Sequence, residues 1–259
     1  MESEFKNRVC KMSRLINGSS PVSRLLHSSR MPGFILYGAR GSTNTDRVRL
    51  TLAEGGLSNT DYELVLLNLQ QGEQKSKENL ARHRWGKVPS ISVPESGFTL
   101  FESRAICKFL ARKYSIPLVP PESDLEATAL FDQAQSIETS YFAPAAGTIA
   151  FEKFAKKFMG LEANEAVVSD ALQSVNSFLD IAEGLLQEPG RGYMAGSQFT
   201  LVDLFYIPLV LRLFACGYGD VITNREAVNA WWNHCISRPA IKKLLEADKE
   251  AMAAAMAKR

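Results

Sequence analysis

The sequence predicts an α/β half followed by an all-helical half, and three observations carry that reading. Between Phe34 and Tyr114, apolar runs of strand length alternate with segments of helical period. Ser115 to Asp124 then gathers Pro117, Pro120 and Pro121, and beyond them apolar residues recur only at three- and four-residue steps. With 259 residues, 46% hydrophobic and 22% charged, the chain has ordinary globular composition and the length of one large domain or two small ones.

Taken in order, Phe34-Ile35-Leu36-Tyr37 is a compact apolar strand. A polar turn leads to Arg47-Val48-Arg49-Leu50-Thr51-Leu52-Ala53, whose apolar spacing predicts a helix ended by Gly55-Gly56. Tyr62 to Leu67 is a second strand, and a polar segment with room for a short helix follows it. Ser90–Val93 and Phe98–Phe101 flank Pro94-Glu95-Ser96-Gly97 as the arms of a hairpin. Ser103 to Tyr114 reads as a helix with Ile106, Phe109 and Leu110 on one face, which completes the order β-α-β-(α)-β-β-α. In the second half Leu172, Val175, Leu179, Ala182 and Leu186 mark one helical stripe. Phe199 to Tyr218 is apolar nearly all round, as a helix surrounded by helices must be. Thr200 and Asp203 have the spacing of a capping box, so that helix is expected to start near Thr200. The expected parts are a leader over 1–30, an α/β domain over 31–114, a linker over 115–123 and a helical domain over 124–259.

The formal charge of +2 is nearly balanced and argues against a nucleic-acid binder built on a broad basic face. It is unevenly spread. Residues 1–30 carry Lys6, Arg8, Lys11, Arg14, Arg24 and Arg30 against Glu2 and Glu4, so the rest of the chain is slightly acidic. That basic, serine-rich leader has no apolar core of the secretory kind. It reads as a disordered extension or as an organelle-targeting segment, so the cytoplasm is expected, with the mitochondrion as the alternative. Asp203, Pro208 and Arg212 interrupt the longest apolar stretch, which is therefore a core helix and not a membrane span. Cys10, Cys107, Cys216 and Cys235 lack C-x-x-C spacing, and His27, His83 and His234 lack metal-ligand spacing, so no metal and no resident cofactor are expected.

Six segments give the layout a specific resemblance. They are Gly41-Ser42-Thr43-Asn44-Thr45-Asp46-Arg47-Val48, Gly72-Glu73-Gln74-Lys75, Gly86-Lys87-Val88-Pro89, Phe101-Glu102-Ser103-Arg104-Ala105-Ile106, Phe199-Thr200-Leu201-Val202-Asp203-Leu204, and Ala230-Trp231-Trp232 with Ser237-Arg238-Pro239. In that order the chain resembles the glutathione transferases, most of all the phi class. The resemblance implies a thioredoxin-like first half, a homodimer, and glutathione with a hydrophobic electrophile as substrates. It implies that Ser103, with its N–H, binds the γ-glutamyl carboxylate and that Glu102 holds the amino end. It implies further that Val88 and a cis Pro89 pair with the cysteinyl part, and that Gln74, Lys75 and Lys87 lie near the glycine end. Gln74 stands where histidine is common in the phi class, and Lys87 where glutamine is common.

Ser42 is the family-matched hydroxyl for the sulfur, and Phe142 matches a position lining the electrophile pocket. Thr43 with Asp46 could cap the first helix and leave Ser42 free; Tyr37 and Thr43 are alternative activators. No cysteine lies in the Ser42 turn, which disfavours omega-like thiol exchange, and a zeta-like serine-cysteine pair is missing too. Conjugation is the expected reaction, with hydroperoxide reduction beside it. A non-catalytic ligand-binding or interaction module is the alternative.

Overall fold

The computed structural model describes residues 32–257. Four strands, β1 (Phe34–Gly38), β2 (Tyr62–Leu66), β3 (Ser90–Val93) and β4 (Phe98–Phe101), form a sheet of order β2-β1-β3-β4 among the described residues. The β1–β2 pair is parallel and the other two are antiparallel. A parallel neighbour requires a crossover, and helix α1 (Thr43–Glu54) supplies it. Phe34 and Tyr62 face each other in register, and their rings stack at 5.3 Å. A 3₁₀ turn (Glu73–Lys75) and α2 (Lys77–Arg82) fill the polar segment before β3, and α3 (Ser103–Lys113) follows β4. This is the expected thioredoxin-like half.

The second half comprises α4 (Leu125–Ile137), α5 (Ala143–Ala150), α6 (Lys156–Phe158), α7 (Glu165–Leu186), α8 (Leu201–Ala215), α9 (Asp220–Thr223), α10 (Glu226–Ser237) and α11 (Pro239–Ala257). Two π-helical turns, Glu138–Phe142 and Phe151–Ala155, sit on either side of α5. Helix α8 is the axis of this half. Leu201, Val202, Leu204, Phe205, Ile207, Val210 and Leu213 are all wholly buried on it, at about 1.5–3 kcal/mol per large apolar side chain. Its start is the capping box anticipated at Thr200 and Asp203. Asp203 is also buried. It accepts from the N–H groups of Met194 at 2.8 Å and Thr200 at 2.9 Å, and from Trp231 Nε1 at 3.0 Å.

Helix α1 packs on α3, α8 and α11. That explains why Arg47, polar by type, is only 2% exposed. The chain between α3 and α4 is stitched down and not loose. Ile116 and Leu118 are buried, and the Leu118 carbonyl accepts from the Leu201 N–H at 2.9 Å. Among the described residues no helix is long and apolar enough to cross a membrane. The leader lies outside the described residues.

Candidate functional site

Sheet register brings three of the sequence-predicted segments to one end of the sheet. Tyr37 pairs with Ser90, and Ser90 with Phe101. The turn after β1 that carries Ser42, the Val88-Pro89 turn before β3 and Glu102-Ser103 after β4 therefore leave the sheet at the same edge. The site is built there.

Ser42 caps α1: its Oγ accepts from the Thr45 N–H at 3.3 Å. This corrects the expectation that Thr43 is the cap; Thr43 is the first helical residue. The reason lies in the turn. Gly41 adopts φ +75°, a conformation glycine holds without a Cβ clash, and this delivers Ser42 to the capping position. The Ser42 N–H donates to the Ala39 carbonyl at 3.3 Å, and the Ala39 N–H to Thr45 Oγ1 at 3.2 Å. A hydroxyl that accepts through one lone pair still has its proton to donate. Tyr37 is half-buried beneath the Arg82 guanidinium, 3.9 Å from its ring centre, in β1 and outside the Ser42 turn.

Glu102 precedes α3 at φ +73° without any side-chain cap. A non-glycine residue there is strained, and such strain clusters at ligand-binding turns. The first N–H groups of α3 therefore form an uncapped helix start, the ordinary setting for a carboxylate. Ser103 is buried, and its Oγ lies 3.4 Å from Asn44 Oδ1, joining the α3 start to the first turn of α1. Asn44 Oδ1 also accepts from Arg47 Nη1. Behind them Glu138, fully buried in the first π turn, accepts from Arg104 Nε at 2.6 Å and Nη2 at 2.8 Å and from Arg47 Nη2 at 3.4 Å. Burial pulls the Arg47 guanidinium down to about 10, still far above neutrality, so Arg47 stays charged.

The Val88-Pro89 bond is cis, as the resemblance implied. Neither the N–H nor the C=O of Val88 has a protein hydrogen-bond partner among the described residues. Asn79, fully buried, ties the Gln74 and Lys87 segments together: its Nδ2 donates to the Gln74 carbonyl at 2.8 Å and the Lys87 carbonyl at 3.2 Å. Lys75 and Lys87 are exposed, and Lys75 Nζ reaches the Trp85 carbonyl at 2.8 Å. Gln74 Oε1 is buried without a partner.

Phe142 requires a correction. It is 0% exposed, with its ring 4.9 Å from that of Tyr206 and 5.3 Å from that of Phe178, so it belongs to the helical core and offers no surface to a ligand. Its neighbour Tyr141 is 66% exposed instead. Asn44, Asn79, Glu138 and Arg212 were not singled out from the sequence; Arg212 Nη2 donates to the Gly41 carbonyl at 2.9 Å. Burial pushes the Cys107 thiol up to about 12, and burial raises Cys216 and Cys235 too, so none of the described cysteines is an activated nucleophile. Among the described residues no cluster of His, Cys, Asp and Glu has the makings of a metal site.

Residues 32–112 match the family model described as glutathione S-transferase, N-terminal domain, and residues 136–239 match the one described as its C-terminal domain. Glutathione S-transferase 1 of Zea mays is 34% identical over 209 residues, covering 81% of this chain and 94% of its own length. The crystal structure of glutathione transferase F7 from Populus trichocarpa superposes with a TM-score of 0.76 at 32% identity, covering 82% of this chain and 98% of that one. Glutathione S-transferase I from maize, in complex with an atrazine glutathione conjugate, superposes with a TM-score of 0.75 at 34% identity, covering 84% and 98%.

Proposed function

The chain belongs to the glutathione S-transferase family, is most like its phi class and conjugates glutathione, and we propose that Ser42 is the group that stabilises the glutathione thiolate. The observation that carries this reading is the convergence at one sheet edge. A capping serine with a free proton, an uncapped helix start at Glu102-Ser103 and an unpartnered backbone at Val88 match the thiol, the glutamyl carboxylate and the cysteinyl amide of one tripeptide. Gln74, Lys75 and Lys87 take the glycine end in this reading, and Glu102 the amino group.

A reference thiol of pKa ~8.5 is only a few per cent ionised at neutral pH. A hydrogen bond from Ser42 to the anion contributes about 1.5–3 kcal/mol, and the α1 start about 0.3–1 more. Together they bring the thiol close to neutrality. The thiol proton leaves to solvent, and the thiolate sulfur forms a bond to an electrophilic carbon. In a substitution the leaving group departs with its electron pair. With all described cysteines held protonated, the reactive sulfur is the substrate's own.

The electrophile is apolar in this reading and contacts exposed aromatic side chains of the helical half, Tyr141 and Phe151 among them. Hydroperoxide reduction, a homodimer, the domain division given above and a cytoplasmic location belong to the same proposal, with mitochondrial import as the alternative if residues 1–30 are a transit peptide. The test is conjugation of glutathione to a chlorinated nitrobenzene or an isothiocyanate, with an organic hydroperoxide assayed alongside. Glutathione binding without turnover of any of them would favour the carrier reading. Light scattering checks the dimer, and N-terminal sequencing of the native protein the leader.

A further inference from the structure

Arg212 lies in the last turn of α8, half-buried, and makes two contacts at once. Its Nη2 donates to the Gly41 carbonyl at 2.9 Å, and its guanidinium carbon lies 3.8 Å from the centre of the Phe154 ring. Phe154 stands in the second π turn, and π turns recur at functional sites because they redirect side chains. The Gly41 carbonyl belongs to the same peptide unit as the Ser42 nitrogen. A turn that must aim one hydroxyl is thus built on glycine, the residue with the most backbone freedom to lose. Within the turn the Ser42 N–H reaches the Ala39 carbonyl at 3.3 Å and the Thr45 N–H reaches Ser42 Oγ at 3.3 Å, while the Asp46 N–H holds the Ser42 carbonyl at 2.9 Å. Arg212 adds a restraint on the other peptide of Ser42, at the Gly41 carbonyl, at 2.9 Å and from a charged donor.

We propose that Arg212 is a positioning residue of the conjugation reaction: from the helical half it fixes the Gly41–Ser42 peptide plane, and so the direction in which the Ser42 hydroxyl points. Its stack on Phe154 ties that direction to the helical half. The inference rests on the reading that Ser42 stabilises the thiolate. Asp46, in the first turn of α1, and Cys216, just beyond α8, bear electrostatically on the guanidinium. Burial lowers the Arg212 pKa and Asp46 opposes it; the proposed role is one of geometry, since a guanidinium is not deprotonated in proteins.

The test uses the full chain with R212M, which keeps the length of the side chain and loses its donors, and R212K, which keeps one donor group. Three quantities are read against pH: kcat, KM for glutathione, and the ultraviolet thiolate absorbance of bound glutathione. R212M should lower kcat by roughly 10- to 100-fold, the scale of an ångström-level misplacement. The thiolate titration should move to higher pH while KM for glutathione stays nearly unchanged, and R212K should recover part of both. Wild-type kcat with an unmoved titration in R212M overturns the proposal, as does a loss of kcat with the titration unmoved, which is what a merely structural role would give. Should R212M not fold, F154L decides by the same titration, since it loosens the guanidinium without removing it. If S42A also leaves the titration unmoved, the Ser42 reading falls and takes Arg212 with it. If S42A moves it and R212M does not, only the role of Arg212 falls.

Discussion

Replacing Ser42 by alanine removes two interactions at once, and their magnitudes differ enough to be separated. The first is the cap: the Thr45 N–H loses its acceptor at 3.3 Å, at a cost of about 1 kcal/mol of stability. The second is the proposed hydrogen bond to the thiolate, about 1.5–3 kcal/mol, which converts to a rise of roughly one to two pKa units in the bound thiol. The α1 start and its neighbouring N–H groups are left in place, so part of the depression survives. At neutral pH the fraction ionised, and kcat/KM with it, should fall about 10- to 100-fold and recover as the pH approaches the new thiol pKa. The assay is kcat/KM for conjugation as a function of pH, set beside a urea unfolding curve. A variant less stable by ~1 kcal/mol whose pH profile matches wild type would leave Ser42 as a cap alone and refute the reasoning. A loss of the same factor at every pH would refute it too, because it would mean misplacement and not lost anion stabilisation.

Substituting the exposed Lys75 or Lys87 by methionine should raise KM for glutathione about two- to fivefold each, with kcat nearly unchanged and a weaker salt dependence of KM, as expected of solvent-screened contacts to a carboxylate. Glu138→Gln leaves Arg47 and Arg104 facing a neutral amide in a buried site, and unfolding free energy should drop by roughly 3–5 kcal/mol; a change below ~1 kcal/mol would mean the network is dispensable. Asp203→Asn puts an amide NH₂ among groups that are all donors, the N–H of Met194 and Thr200, the Thr200 hydroxyl and Trp231 Nε1, and should destabilise the fold by several kcal/mol. Its pH dependence has a definite sign. Burial raises the Asp203 carboxyl above 3.8 in the folded state, so the native state binds more protons and this group's contribution is fullest at low pH. It is lost as the pH rises from 3.8 through the folded value. The stability gap between wild type and D203N, followed by urea unfolding, should therefore narrow over that window; a gap that widens would mean the hydrogen bonds outweigh burial.

Elements with a clean period were legible in the sequence. The hairpin arms, the stripe of α7 and the Thr200 capping box are each specified by residues within a few positions of one another. The start of α1 was not, because its first turn, Thr43 to Asp46, has no apolar period: Thr45 is wholly buried but is polar and holds the Ala39 N–H, and Asp46 pairs with Arg49. Phe142 was assigned by its match to a family position and not by a period, and the local backbone turns it inward. The π turn over Glu138–Phe142 inserts an extra residue into the helical repeat, and the phase shifts by about one position. Tyr141 therefore points to solvent, and Phe142 inward against Tyr206. The site residues supplied by contacts distant in sequence were illegible in principle. No local pattern connects Glu138 to Arg47, 91 residues away, or Arg212 to Gly41, 171 residues away.

Those distant contacts share a form: the helical half holds α1 at nearly every turn. Arg212 takes its preceding loop. Arg47, from within the helix, reaches the Phe205 carbonyl at 3.0 Å and Glu138. Arg49 grips both oxygens of Asp248 on α11, at 2.8 and 2.6 Å, and Arg238 binds Glu54 at the far end, at 3.0 and 2.5 Å. The placement of the Ser42 hydroxyl is thus a property of the contact between the halves and not of the thioredoxin-like half alone. The near-neutral formal charge conceals this arrangement. Arg49 and Arg238 each pair with a carboxylate, while Arg47 shares the buried Glu138 with Arg104. Arg212 is bonded to a carbonyl, with only Asp46 bearing on it from α1. It holds the peptide that joins Gly41 to Ser42, the serine proposed to stabilise the sulfur anion.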